Sequence, residues 1–191
     1  NPRLFEKAVQ SLLLSGDTDK VKDGLSNVLF WGFYRMAIRD NRVNRFRSDV
    51  SKDQLRGAVN LLRHIEGNGI KEIADLKLPQ FSMMPFVSKV RMFLNPESHV
   101  VLDNKLAKLS SISTFFGDLK KSATETTIRI TKANTTFYER WCRFCVLASG
   151  CINPNRYVAV DVERAIFELV DCGRASEAAA MVDALSRRFD L

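Results

Sequence analysis

The spacing of the apolar residues constrains this chain most, because they recur every three to four positions along almost its whole length. In the first segment Leu4, Ala8 and Leu12 share one helix face, and a longer pattern begins at Asp17. This period is typical of amphipathic α-helices, whereas half-buried strands alternate every second residue. Only the Thr-rich residues 120–132 lack it, and we interpret them as a small hairpin or an ordered loop. The sequence therefore predicts an all-α fold of about nine helices.

Capping and stop signals set several helix ends. Ser51, with Gln54 three residues later, has the pattern of a capped helix start. A helix is predicted from about Met84 to Leu94, because Asn95-Pro96 stops it. The polar run from Asn41 to Phe46 is interpreted as a connection or short turn between helices.

Length and composition favour a folded protein with an anionic partner. The 191 residues fit a single helical domain, residues 1–191, and 46% hydrophobic with 27% charged residues excludes general disorder. The net charge of +7 favours nucleic acid, the commonest anionic partner of basic proteins. Apolar runs such as Val28 to Phe33 are too short for a membrane span, and no basic-then-apolar leader opens the chain. A cytoplasmic location without membrane contact is expected.

Residues 70–106 carry the most specific pattern. A short helix is followed by a hairpin beginning Leu78-Pro79, a second helix, an extended run His99 to Leu102, and Asp103 at the head of another helical stretch. This order resembles the helix-hairpin-helix DNA glycosylase superfamily, of the endonuclease III and 8-oxoguanine glycosylase type. The resemblance implies a multi-helix glycosylase-like domain that binds DNA in a repair reaction, with hydrolase activity as one expectation.

The resemblance also implies roles for individual positions. In the family the hairpin reads Leu-Pro-Gly-Val-Gly, and its backbone N–H groups and a helix N-terminus hold a DNA phosphate. Asp103 corresponds to the carboxylate that serves base excision, where a negative charge stabilises the oxocarbenium character of the sugar. A plainer interpretation is that Asp103 only caps its helix, and the two interpretations are compatible.

This chain departs from the family where chemistry would occur. Gln80-Phe81-Ser82 replaces Gly-Val-Gly, and glycines there permit a positive φ that Gln and Ser do not adopt easily. In the gapless register Met84 stands where lyase-competent members have a lysine, so a monofunctional glycosylase is expected if catalysis is retained. Lys89 is the rival catalytic amine, although an amphipathic helix normally carries such a lysine on its wet side, where it would contact phosphate with Arg91.

Two sets of residues are candidates for the DNA side. The set implied by the resemblance consists of Gln80, Phe81, Ser82, Lys89, Arg91 and Lys105. A second, purely positive set either binds phosphate or forms a solvated helix end, and consists of Arg35, Arg39, Arg42, Arg45 and Arg47. The alternatives to an enzyme are a catalytically inactive DNA- or protein-binding module of the same fold, and a helical interaction domain unrelated to DNA.

The cysteine spacing bears on whether this chain could hold an iron–sulfur cluster, a cofactor found in some members of this superfamily. Cys142, Cys145 and Cys151 have the spacing of the last three iron–sulfur ligands in endonuclease III-type enzymes, but Thr135 stands where the fourth ligand belongs. Since these residues also follow a helical period, we interpret them, like Cys172, as free thiols, those on the helix as small buried ones. No cofactor and no metal site are expected.

Overall fold

The computed structural model describes residues 2–67, 69–121, 126–153 and 155–191, and over these ranges it is helical without a β-strand. The predicted all-α fold is confirmed. The chain divides into two compact units, Asn1–Leu94 (unit 1) and Asn95–Leu191 (unit 2). The boundary falls inside the segment 70–106. Among the described residues, none of the helices has the length and apolar character needed to cross a bilayer.

Unit 1 consists of α-helices joined by short connections. They are α1 (Pro2–Leu13), α2 (Thr18–Gly32), α3 (Arg39–Asp49), α4 (Lys52–Leu62), α5 (Ile70–Asp75) and α6 (Met84–Leu94). Helix α6 packs against α1, α2 and α5, and every one of its residues except Phe86 is buried. It is the core helix of this unit, and its bounds agree with the sequence prediction.

Unit 2 combines short 3₁₀ turns with three longer helices. Its elements are a first 3₁₀ helix (Leu106–Ser111), a second 3₁₀ helix (Phe116–Asp118), α7 (Lys132–Ile152), α8 (Ala159–Asp171) and α9 (Ala175–Arg188). The core is aromatic: the Trp141 ring lies 5.1 Å from that of Phe116 and 5.5 Å from that of Phe144. The Trp141 indole also donates a hydrogen bond to the Val101 carbonyl at 3.0 Å, which fixes the extended run before Asp103.

The start of α4 follows from the predicted cap. The Ser51 hydroxyl accepts from the Gln54 amide at 3.1 Å, and the Gln54 side chain accepts from the Ser51 amide at 2.9 Å. This reciprocal pair satisfies donors that have no partner within the helix.

The polar run from Asn41 to Phe46 is where the sequence prediction was wrong, because it lies inside α3 rather than in a connection. Only Val43 and Phe46 mark an apolar face there, so the hydrophobic period is weak. Phe46 is nevertheless fully buried and anchors the helix to unit 1, and the Arg45–Asp49 ion pair at i,i+4 adds local support.

The hairpin-or-loop prediction for residues 120–132 falls partly on residues 122–125, outside the described ranges. The described part of this segment forms neither helix nor strand until α7 begins at Lys132. It is held by Asn134, a buried side chain that bonds to the backbone of both Lys120 and Arg129.

Candidate functional site

The hairpin Leu78–Ser82 lies in unit 1 between α5 and α6, and its backbone has the left-handed turn that the glycosylase pattern assigns to glycine. Gln80 has φ +70°, a conformation that glutamine, unlike glycine, adopts only at a cost in free energy. The Phe81 amide donates to the Leu78 carbonyl at 3.1 Å and closes the turn. The hairpin therefore keeps a positive φ without the glycine.

Phe81 was predicted to face DNA, but its side chain is a core residue. The ring is fully buried, 5.6 Å from the ring of Phe46 and 6.3 Å from that of Phe86. These edge-on aromatic contacts attach the hairpin to α3 and α6. A DNA contact at this position would have to use the backbone.

The structure joins two features that the sequence presented separately. Arg42 of α3 donates from Nη1 to the Gln80 side-chain oxygen at 3.0 Å, so the arginine-rich helix lies alongside the hairpin. Ser82 is exposed next to it. We call the group formed by Arg42, Gln80 and Ser82 the hairpin surface. The contact spans 38 residues of sequence and has no local signature.

Arg42 differs from the other arginines of α3 in the kind of side chain to which it bonds. Carboxylates pair with the other three arginines of this helix: Arg39 with Asp40 (2.8 Å), Arg45 with Asp49 (3.3 Å) and Arg47 with Asp23 (2.7 Å). Among the described residues, Arg42 bonds to a neutral amide instead, so its charge is not compensated by an ion pair. An anion at the hairpin surface would meet this guanidinium.

The first turn of α6 offers neither an amine nor a row of free backbone donors. Met84, at the position where the glycosylase pattern has a lysine, is fully buried, Pro85 has no N–H, and the Phe86 and Val87 amides both donate to the Met83 carbonyl at 3.2 Å. The turn is therefore not suited to Schiff-base chemistry.

Lys89 and Arg91 were expected on the wet side of their helix, and this expectation was wrong. Each is only 4% exposed, because α6 is covered on nearly every side. The Lys89 ammonium donates to the Pro85 carbonyl at 3.2 Å and lies 5.2 Å from the Phe86 ring, and Arg91 donates from Nη2 to the Gly67 carbonyl at 2.7 Å. Neither side chain is available on the surface for a phosphate contact.

Asp103 lies in unit 2 and is half-buried. Its Oδ1 accepts from the Lys105 amide at 3.1 Å, and its carbonyl accepts from the Ala107 amide at 3.2 Å. Asp103 therefore turns the chain ahead of the next element, but the predicted capping role is not confirmed, because the following 3₁₀ helix has Lys105 as its N-cap, without a side-chain cap bond. The contribution of Asp103 to chemistry stays a prediction.

Lys105, also predicted on the DNA side, forms an ion pair with Asp171 of α8. Its ammonium lies 5.2 Å from the Phe167 ring, and the side chain stays 41% exposed. The positive charge of Lys105 is therefore largely compensated by Asp171 within unit 2.

The prediction of buried thiols on the helix is confirmed for two of the three cysteines concerned. Cys142 and Cys145 are buried in α7, whereas Cys151 and Cys172 are exposed, and all four are thiols rather than disulfides. Burial raises the pKa of the Cys145 thiol well above its ordinary value, with the nearby Cys142 and Glu163 adding to the effect. Within the described ranges, His, Cys, Asp and Glu side chains do not form a group of three that could hold a metal ion.

Comparisons with known protein families, curated proteins and solved structures found no match for this chain.

Proposed function

We propose that the protein is a glycosylase-like DNA-binding protein that grips a DNA backbone phosphate at the hairpin surface. One observation carries this proposal: the left-handed Gln80 sits in a Leu-Pro hairpin ahead of a helix N-terminus, with the guanidinium of Arg42 bonded to its side chain. A turn that ends in the exposed Ser82 and one uncompensated arginine suit a phosphodiester.

The physical case rests on which groups can approach a phosphate. The hairpin leads directly into the positive end of the α6 dipole, and the exposed Ser82 hydroxyl supplies a donor. Gln80 bonds to Arg42 through its side chain, so the amide oxygen orients the guanidinium beside the turn. The net charge of +7 adds long-range attraction to the same polyanion.

A second candidate function is base excision without lyase activity, favoured by the setting of Asp103. One carboxylate oxygen is held by a backbone amide and the residue is half-exposed, so the group is oriented while still reachable. In this mechanism the N-glycosidic bond breaks and the base departs with the bonding electrons. The carboxylate stabilises the cationic sugar, water adds to the anomeric carbon, and the proton that the water loses goes to the departed base, directly or through the carboxylate. The buried Met84 and Lys89 fit a reaction without an enzyme amine.

Binding is tested by fluorescence anisotropy of a labelled duplex with Arg42→Gln beside Arg45→Gln. Both variants remove one exposed charge from α3, but Arg45 is paired to Asp49 and Arg42 is not. We expect Arg42→Gln to weaken binding about tenfold and to reduce the slope of log K against log salt by about one, with Arg45→Gln near wild type. Equal losses in the two variants would indicate a general charge effect and overturn the assignment of the hairpin surface.

Excision is tested on duplexes bearing damaged or mismatched bases, with heat and alkali to reveal abasic sites. Abasic product from the wild type that disappears in Asp103→Asn would support the glycosylase. Scission without alkali would contradict the monofunctional mechanism. Salt-sensitive binding without product would support the non-catalytic DNA-binding module.

A further inference from the structure

Unit 2 contains a basic cleft that sequence patterns did not single out. Its volume is about 580 Å³, within the range of small-ligand sites. It is lined by Asp118, Lys120, Lys132, Ala133, Thr136, Phe137 and Arg140. Three of these side chains are cationic and one is a carboxylate, so the cleft has an excess of positive charge.

The two lysines of the cleft are held in fixed relation by a buried amide. Asn134, in the first turn of α7, accepts from the Lys120 amide at 2.9 Å and donates to the Lys120 carbonyl at 2.9 Å. Lys132 is the first residue of the same helix, and the Thr131 hydroxyl caps that turn by accepting from the Asn134 amide. The backbone positions of Lys120 and Lys132 are therefore set by the fold.

Arg140 fixes the carboxylate of the cleft. Its guanidinium pairs with Asp118 at 2.8 Å, donates to the Phe115 carbonyl at 2.8 Å and lies over the Phe115 ring at 4.7 Å. One oxygen of Asp118 is thus paired with Arg140, although the Asp118 side chain stays 65% exposed. Among the described residues neither Lys120 nor Lys132 has an ion-pair partner, so the excess charge belongs to the lysines.

We propose that this cleft binds a phosphate group. The side chains that line it include the possible donors Lys120, Lys132 and Thr136, while its one carboxylate, Asp118, is paired with Arg140. A ligand rich in acceptor oxygens and carrying at least one negative charge matches this set, and lysines bind phosphate as point charges. The phosphate belongs either to a nucleic-acid strand or to a free phosphate ester. The proposal does not rest on the hairpin surface or on Asp103.

The test is calorimetric titration of the full chain with inorganic phosphate. The double variant Lys120→Gln/Lys132→Gln removes both lysine charges of the cleft. The matched control Lys7→Gln/Lys52→Gln removes two exposed lysine charges from unit 1. We expect at least a roughly tenfold loss of phosphate affinity in the cleft variant and a change of about twofold or less in the control. A wild type that does not bind phosphate, or two variants that lose affinity equally, would overturn the proposal.

A short single-stranded oligonucleotide then identifies the source of the phosphate. If it displaces inorganic phosphate from the wild type and binds the cleft variant more weakly, the ligand is a nucleic-acid strand. If it binds both proteins equally, the ligand is a free phosphate ester. Phosphate binding that is unchanged in Arg42→Gln would keep this site distinct from the hairpin surface.

Discussion

In unit 1 the hairpin is attached to the core by an aromatic ring, whereas in unit 2 polar side chains add to the aromatic contacts that attach the irregular segments. Phe81 fixes residues 78–82 through its contacts with Phe46 and Phe86. In unit 2, Asn134 fixes the segment before α7, and Asp183 of α9 accepts from the Ser113 hydroxyl at 2.6 Å and from the Thr114 and Phe115 amides at 3.0 Å each.

The two kinds of anchor should respond differently to pH. The contacts of an aromatic anchor are weakened by a change in side-chain volume. Those of a carboxylate anchor are weakened by protonation as well. The hairpin surface should therefore keep its geometry across a wide pH range. The turn around Ser113 should loosen in acid.

The largest effect is expected at Phe81. Phe81→Ala removes a fully buried ring from the contact between α3, the hairpin and α6, and should cost about 3–5 kcal/mol in the free energy of unfolding. Ser82→Ala, at the exposed next position, should change it by less than about 0.5 kcal/mol. Urea denaturation measures both. Similar small losses in the two variants would mean that the ring does not anchor the hairpin.

Arg91 sharpens the contrast between buried and exposed cations in unit 1. Arg91→Ala deletes a buried stem and the donor to the Gly67 carbonyl, and should cost about 2–3 kcal/mol. Arg45→Ala on α3 removes a 67% exposed arginine and should cost no more than about 0.5 kcal/mol. Thermal unfolding of the two variants at matched ionic strength provides the measurement. A neutral Arg91→Ala would contradict a structural role for this cation.

Asp183 tests the polar anchor of unit 2. Burial opposes its charge, but hydrogen bonds from Ser113, Phe115 and Thr114 outweigh burial and lower its pKa. Such a group stabilises the fold above its unfolded pKa of about 3.9, and the stabilisation disappears as pH falls through the lower folded value. Asp183→Ala should therefore cost about 2 kcal/mol at pH 7, and the difference from wild type should shrink below about pH 4. A difference that is the same at pH 7 and pH 3 would show that the charge is not what anchors the turn.

The sequence was most informative where local signals set the ends of a helix. It predicted the bounds of α6 and the cap of α4, because apolar spacing and capping are local. It missed α3, whose apolar face has only two members, and the burial of Lys89 and Arg91, since spacing identifies a shared face but not how many sides are covered.

The candidate site was less predictable because its contacts join residues that are far apart in the sequence. The Leu-Pro hairpin and Asp103 were identified from local pattern, but the Arg42–Gln80 bond joins residues far apart in sequence. The basic cleft depends on Asn134, whose partners lie on a segment with no regular pattern. Long-range polar contacts of this kind leave no period to detect.

The smallest effects are expected at the two left-handed residues flanking Leu78-Pro79, where Lys77 has φ +51° and Gln80 has φ +70°. Glycine should relieve the left-handed strain at Lys77 and, after its own entropic cost, stabilise the fold by about 0.5 kcal/mol. Gln80→Gly should gain the same relief but lose the acceptor for Arg42, and so leave stability nearly unchanged. Urea denaturation distinguishes Lys77→Gly from Gln80→Gly when the second is also measured in the Arg42→Gln background. The Arg42–Gln80 bond is already absent in that background, so Gln80→Gly should there show its full gain in stability. An equal gain from both glycines in the wild-type background would mean that the Arg42–Gln80 bond adds nothing to the hairpin, leaving Phe81 as its main anchor.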